Sequence, residues 1–115
     1  MNKVIDKKNA AHYRWGNNCD SYVLIETSSL SVKQETMPAG TKEQLHFHTK
    51  AQQFFFILKG TATFYVDGTK SVVNEQQGLR VDKKSNHFIA NETPESLEFI
   101  VISKPAINND RTNLE

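Results

Sequence analysis

From Tyr22 to Ser103 the chain is built of short segments rich in β-branched and aromatic residues, each ended by turn residues. Nowhere does an apolar period of about 3.6 residues persist, and there are no heptads and no internal repeat. That pattern predicts an all-β domain. Strands are expected over Tyr22–Thr27, Leu30–Met37, Gln44–His48, Phe54–Lys59, Thr61–Val66, Lys70–Val73, Leu79–Val81, His87–Asn91 and Leu97–Ser103. Pro38-Ala-Gly40, Lys59-Gly60, Asp67-Gly68 and Thr93-Pro94 supply the turns, and Asp67-Gly68 is the strongest hairpin signal. The first eighteen residues are polar, with Tyr13 and Trp15 as anchors onto the strands; Asn108–Glu115 reads as a loose tail.

With 115 residues the chain forms one domain with a real core. Its net charge is +1, with both signs dispersed, so it carries no electrostatic footprint for nucleic acid or a membrane surface. Met1–Asp6 lacks the apolar stretch of a signal peptide, and the longest apolar runs, Phe54–Leu58 and Phe99–Ile102, are far too short to span a bilayer. Cys19 is the single cysteine, which excludes an internal disulfide and fits a reduced, cytoplasmic setting. The strands at Phe54–Leu58 and Leu97–Ile102 carry large apolar residues on both faces. Gln53, Phe55 and Ile57 face one way, Phe54, Phe56 and Leu58 the other. Both faces must leave water, so a homodimer is expected.

His46-Phe-His48 is the stretch with the most chemistry. On a strand, residues i and i+2 share a face, so both imidazoles point the same way and Phe47 points away. Neutral imidazole is a versatile ligand for zinc, iron, manganese, nickel and copper. His87 lies in another apolar segment, so three of the four histidines can converge on one metal ion. Alternatively they hydrogen-bond to one another or to water. His12 reads as a surface or packing residue, and Cys19 as a small buried hydrophobe with no base paired to it.

Taken together, Gly40-x5-His46-x-His48-x4-Gln53-x6-Gly60 resembles the first motif of the cupin family: a glycine, His-x-His, a glutamate shortly after, and a closing glycine. The second motif is similar to Gln76-x5-Asp82-x-Lys84-x2-His87-x3-Asn91. There His87 and Asn91 match, while Gln76, Asp82 and Lys84 stand in place of glycine, proline and glycine. The intermotif segment, Thr61 to Glu75, has the length found in small single-domain cupins, and Leu97–Pro105 resembles the family's closing strand. The resemblance covers residues 30 to 105. It implies a double-stranded β-helix, the cupin jelly-roll barrel, over about 20–105, with an N-terminal arm 1–19 and a C-terminal tail 106–115.

The resemblance also implies a site. His46 and His48 match the adjacent metal ligands, His87 the distal one, and Gln53 stands where the family places a metal-binding glutamate. An amide can coordinate through its oxygen but brings no negative charge. A bound divalent transition metal, whose identity the residues do not specify, is then held more weakly and keeps more positive charge, which suits an anionic ligand such as an enolate, carboxylate or phosphate. Phe55, Ile57, Phe64, Val66, Ile89 and Phe99 are candidates for an apolar cavity wall. Glu35 and Gln44 lie on strands leading into the barrel and add polar contacts; no residue is singled out as catalytic.

Small cupins include dioxygenases, sugar-phosphate isomerases and polyketide cyclases, so the resemblance implies metal-assisted chemistry on a small organic molecule without fixing the reaction. The competing reading is a non-catalytic barrel that binds a small molecule, with or without metal. Regulatory cupins are usually joined to a DNA-binding domain, and this sequence contains no basic recognition helix.

Overall fold

The computed structural model describes residues 3–107 and 109–114, and among them it contains eleven β-strands and no helix. In chain order these are β1 (Ala11–Trp15), β2 (Cys19–Glu26), β3 (Ser31–Met37), β4 (His46–His48), β5 (Gln52–Lys59) and β6 (Ala62–Val66). They continue with β7 (Thr69–Val73), β8 (Gly78–Val81), β9 (His87–Ala90), β10 (Leu97–Lys104) and β11 (Arg111–Asn113). All pairings are antiparallel. One sheet has the order β1-β2-β3-β10-β5-β8 and the other β11-β4-β9-β6-β7.

The central strands follow from their side chains. In β10, Leu97, Phe99, Val101 and Ser103 are buried and the residues between them are not; in β5 the buried set is Gln53, Phe55 and Ile57. The register Phe99↔Ile57 and Val101↔Phe55 puts these sets on one face, where directly opposed residues pack together. Met37, Phe64 and Ile89 complete the core, and Ile57, Phe64, Ile89, Leu97 and Phe99 are fully enclosed. Truncating such a phenylalanine to alanine costs about 3–5 kcal/mol. The Asp67-Gly68 turn closes the β6–β7 hairpin, as its sequence requires.

Three features of the second motif have structural explanations. Asn91 is fully buried, donates from Nδ2 to the carbonyls of Met37 (2.9 Å) and Glu95 (2.7 Å), and accepts from Thr93. It ties the loop after β9 to β3. Gln76 and Lys84, at two glycine positions of the family, keep the left-handed backbone with φ of 64° and 70°. The conformation is retained although a non-glycine residue finds it costly, by roughly 1–2 kcal/mol. At Gly60 there is no such latitude: a Cβ there would lie 2.6 Å from the Ser96 carbonyl oxygen.

Both chain ends depart from the sequence expectation. The arm 1–19 is not a mere anchor: Ala11–Trp15 pairs along its length with β2. The segment 106–115 is not loose where it is described. Arg111–Asn113 pairs with His46–His48, and the Asp110 carboxylate accepts the backbone N–H groups of Thr49 (3.1 Å), Lys50 (3.0 Å) and Ala51 (2.9 Å). Residues 108 and 115 of the expected tail fall outside the described residues.

Candidate metal centre

β4 is irregular in its approach and regular for only three residues, which suffices to aim two side chains. His46 sits directly opposite His87 of β9, and His48 shares its face by alternation. The ligand-capable nitrogens of His46, His48 and His87 all lie within 4.8 Å of one another, and all three residues are buried. Phe47 points away and faces Thr112 across the strand pair, as alternation requires.

Two of the rings are oriented by the backbone. His46 Nδ1 donates to the Gln44 carbonyl at 2.7 Å and His87 Nδ1 to the Ser85 carbonyl at 2.9 Å. A carbonyl only accepts, so the proton belongs on Nδ1 and the Nε2 lone pair is left for the cluster. The turn Asp82–Ser85 is itself held to β4, because Lys84 N–H donates to the His48 carbonyl at 2.6 Å. His48 differs: both of its ring nitrogens are buried and neither makes a hydrogen bond of good geometry. Burial pushes all three imidazoles below their usual range, His46 to about 3 and His48 to about 4, with the neighbouring His87 adding to the shift in both. At neutral pH the three rings are therefore neutral, the form a metal requires.

Gln53 adjoins the cluster. Its Nε2 donates to Ser103 Oγ at 3.0 Å, which turns Oε1 toward His87 Nε2 at 3.2 Å. A neutral imidazole has one N–H, and His87 cannot give it to both the Ser85 carbonyl and Gln53. One of these contacts lacks a proton. Two lone pairs facing each other at that distance have the separation of neighbouring ligands on an ion with bonds of about 2.1 Å. Together with the unsatisfied His48 nitrogens, this makes the three histidines a fit for a divalent transition metal, with the Gln53 amide beside them.

His46, His48 and Gln53 line a cavity of about 300 Å³. Phe55, Val101 and Ile107 give it an apolar lining; of the wall candidates named from sequence, Ile57, Phe64, Ile89 and Phe99 are instead packed into the core, and Val66 packs against it. Lys33 and Glu35 enter from β3, and Lys33 Nζ donates to the Tyr13 hydroxyl at 2.9 Å across the mouth. Glu35 is buried beside Ser21 of β2 and Phe99 of β10. Burial raises its carboxyl to about 7, opposed by the Ser21 hydroxyl and by Lys33 and Arg111. Glu43 is raised to about 7 by the same cause, with Arg111 again opposing. Its Oε1 accepts from the Ile89 N–H at 3.1 Å, and its Oε2 stands 3.8 Å from Arg111 Nη1.

Sequence reasoning brought His46, His48, His87, Gln53 and Glu35 to this place, and Gln44 with them. It missed Glu43 and Arg111. Glu43 lies in the irregular stretch before β4, where alternation has no meaning. Arg111 belongs to a strand with no apolar residue to announce it.

The Cupin domain family model matches residues 33–103. A putative mannose-1-phosphate guanylyltransferase of Vibrio cholerae is 26% identical over 110 residues, which are 95% of this chain and only 23% of that protein. The chain thus spans about a quarter of that relative's length. Among solved structures, a predicted oxalate decarboxylase from Thermotoga maritima superposes with a TM-score of 0.82 at 18% identity, covering 90% of this chain and 100% of that one. The polyketide cyclase RemF from Streptomyces resistomycificus superposes with a TM-score of 0.84 at 12% identity, covering 100% and 87%. At such identities these likenesses establish the fold.

Proposed function

Because this chain belongs to the cupin family, whose jelly-roll barrel it adopts, we propose that it holds one divalent transition-metal ion on His46, His48, His87 and Gln53 and acts on a small organic molecule. The observation that carries this reading is the convergence of three buried, neutral imidazoles, of which His48 makes no hydrogen bond of good geometry through either ring nitrogen. When bound, such an ion supplies Lewis-acid polarisation of an oxygen atom or, if iron, a place for substrate and dioxygen to meet. The reaction class is dioxygenase or isomerase/cyclase, the latter in keeping with the polyketide cyclase name of one structural neighbour. The chain's own residues do the rest. The Gln44 and Ser85 carbonyls fix two rings, Phe55 and Val101 exclude water from one flank, and Glu35 is a buried carboxyl able to hold or release a proton inside the cavity.

Gln53 favours a second reading, a non-catalytic barrel that binds a small molecule with or without metal. A neutral amide holds an ion less tightly than a carboxylate, and an amide rotated by half a turn would donate to His87 instead.

We further infer a cytoplasmic homodimer that engages neither nucleic acid nor membrane. The lone thiol of Cys19 is buried and unpaired, and no helix of the described residues is long and apolar enough to cross a membrane. The outer side of the six-stranded sheet presents Phe54, 40% exposed, beside the partly exposed Phe56, Ile100 and Ile102, a surface a second copy would cover.

Elemental mass spectrometry of protein purified without a metal-binding tag tests the central claim. Near-stoichiometric metal in the native chain and its loss in a folded His87→Ala variant are expected. Full occupancy in that variant would refute a shared site. Absence of metal from the native chain, even after anaerobic addition of candidate ions, would leave the ligand-binding reading.

A further inference from the structure

Strand β11 contributes more than its three ladder positions. Arg111 pairs with His48 and Asn113 with His46, and directly opposed residues of an antiparallel pair share a face. The guanidinium therefore enters the cavity from the same side as the histidines, and it belongs to the cavity lining. Its charge bears on five groups at this end of the barrel: it lowers the proton affinity of His46, His48 and His87 and opposes the upward shifts of Glu35 and Glu43.

Its hydrogen bonds leave the working end of the fork open. Nε donates to Asn113 Oδ1 at 2.9 Å, which fixes the plane of the guanidinium from its own strand. Nη2 reaches the Gln44 carbonyl only at 3.4 Å, and the carboxylate beside Nη1, Glu43 Oε2, is 3.8 Å away. Guanidinium carries five N–H donors in a planar fork that matches a carboxylate two-on-two. Here Glu43 offers it only one oxygen, Oε2 at 3.8 Å, because Oε1 accepts from the Ile89 N–H. With Gln53 in place of a glutamate, no carboxylate stands among the three histidines, and the one paired with Arg111, Glu43, is held at 3.8 Å without a two-on-two contact.

We propose that Arg111 binds the carboxylate of a small organic acid that spans from β11 to the histidine cluster. This rests on the reading of the cavity as a small-molecule site and names the class of its ligand. Lys33, across the mouth, adds a second cation, and the apolar lining of Phe55, Val101 and Ile107 suits the carbon skeleton. The 300 Å³ of the cavity suits a molecule of a few to a dozen non-hydrogen atoms better than a nucleotide.

Calorimetric titration of the full chain, as purified and after metal loading, with malonate, benzoate, their neutral amides and inorganic phosphate, tests the assignment. At least one acid is expected to bind more tightly than its amide. Arg111→Gln should weaken that binding about tenfold or more, and Arg111→Lys should be intermediate because it keeps the charge and loses the fork. Metal content and melting temperature of both variants report whether site and fold persist. Equal binding of acid and amide, phosphate binding without acid binding, or acid binding unchanged in folded Arg111→Gln would each overturn the proposal. Acid binding that depends on Arg111 in a chain devoid of metal would uphold it while removing the metal centre, so the two claims fail separately.

Discussion

Each face of the six-stranded sheet carries residues against the usual assignment: polar and ionisable groups line the cavity beside the inward-facing apolar core, and phenylalanine and isoleucine face outward. Inward, around the cavity, stand Lys33 and Glu35 of β3, Gln53 of β5 and Ser103 of β10. Outward stand Phe54 and Ile102, which oppose each other, and Phe56 and Ile100, which do the same, with Val32 beside Ile102. Desolvating ionisable groups is costly and leaving phenylalanine wet is unfavourable, so neither face is explained by folding alone. The inner face is shaped for a ligand; the outer one fits a protein partner. Both faces come from β3, β5 and β10, whose residues alternate between them, with a register shift between Glu98 and Phe99.

The strongest way to break this contrast is on the outside. Phe54→Glu sets a charge in the apolar outer surface, so the proposed homodimer should dissociate, its dissociation constant rising on the order of a hundredfold, while the monomer stays folded. Sedimentation equilibrium measures it. A native chain that sediments as a monomer at micromolar concentration would leave the outer face without its partner copy.

On the inside, Glu35→Gln probes a desolvated carboxyl. In the folded chain its affinity for a proton is raised, to about 7 from 4.5. The native state therefore holds that proton where the unfolded chain has lost it. The resulting stability is fully present below the unfolded value and is lost as pH rises through about 7. The histidines act in the opposite direction, since their lowered values favour the folded state as pH rises; they are common to both proteins and cancel in the difference. On metal-free protein, urea unfolding at pH 5 and pH 8 should show the variant gaining about 2–3 kcal/mol on the native chain at the higher pH. A difference that does not change with pH would mean that the carboxyl is solvated.

The smallest of the expected effects sharpens the inner face. Gln53→Glu restores a charge beside His87 and should tighten divalent-metal binding by roughly tenfold, about 1.4 kcal/mol, in a competitive chelator titration. An unchanged affinity would put Gln53 outside the coordination sphere.

How much of this was legible depends on which force fixed each part. β5, β6 and β10 are set by alternating burial, which residue order records, and their limits agree with expectation to within two residues. His46, His48, His87 and Gln53 were readable because the spacing of a strand is rigid. β1 and β11 were not. Ala11–Trp15 is mostly exposed and Arg111–Asn113 wholly so, and they are held by backbone pairing and, for β11, by the Asp110 carboxylate gripping three amides some sixty positions away in sequence. No local composition marks such a tie. Arg111 was lost with its strand. Glu35 was visible as a polar contact, but its burial depends on the neighbours that β2 and β10 bring to it.

The strand that carries two of the three histidines has an uneven hold on the barrel. β4 shares three opposed positions with β11 and a single one, His46 with His87, with β9. Were β11 to peel away, β4 would become a short edge strand, and the imidazoles of His46 and His48 could separate from His87 while the packing of β5 on β10 stayed intact. Local opening of this kind requires far less free energy than unfolding the barrel. If the histidines hold an ion, opening of this last strand would give it a second way in and out besides the cavity.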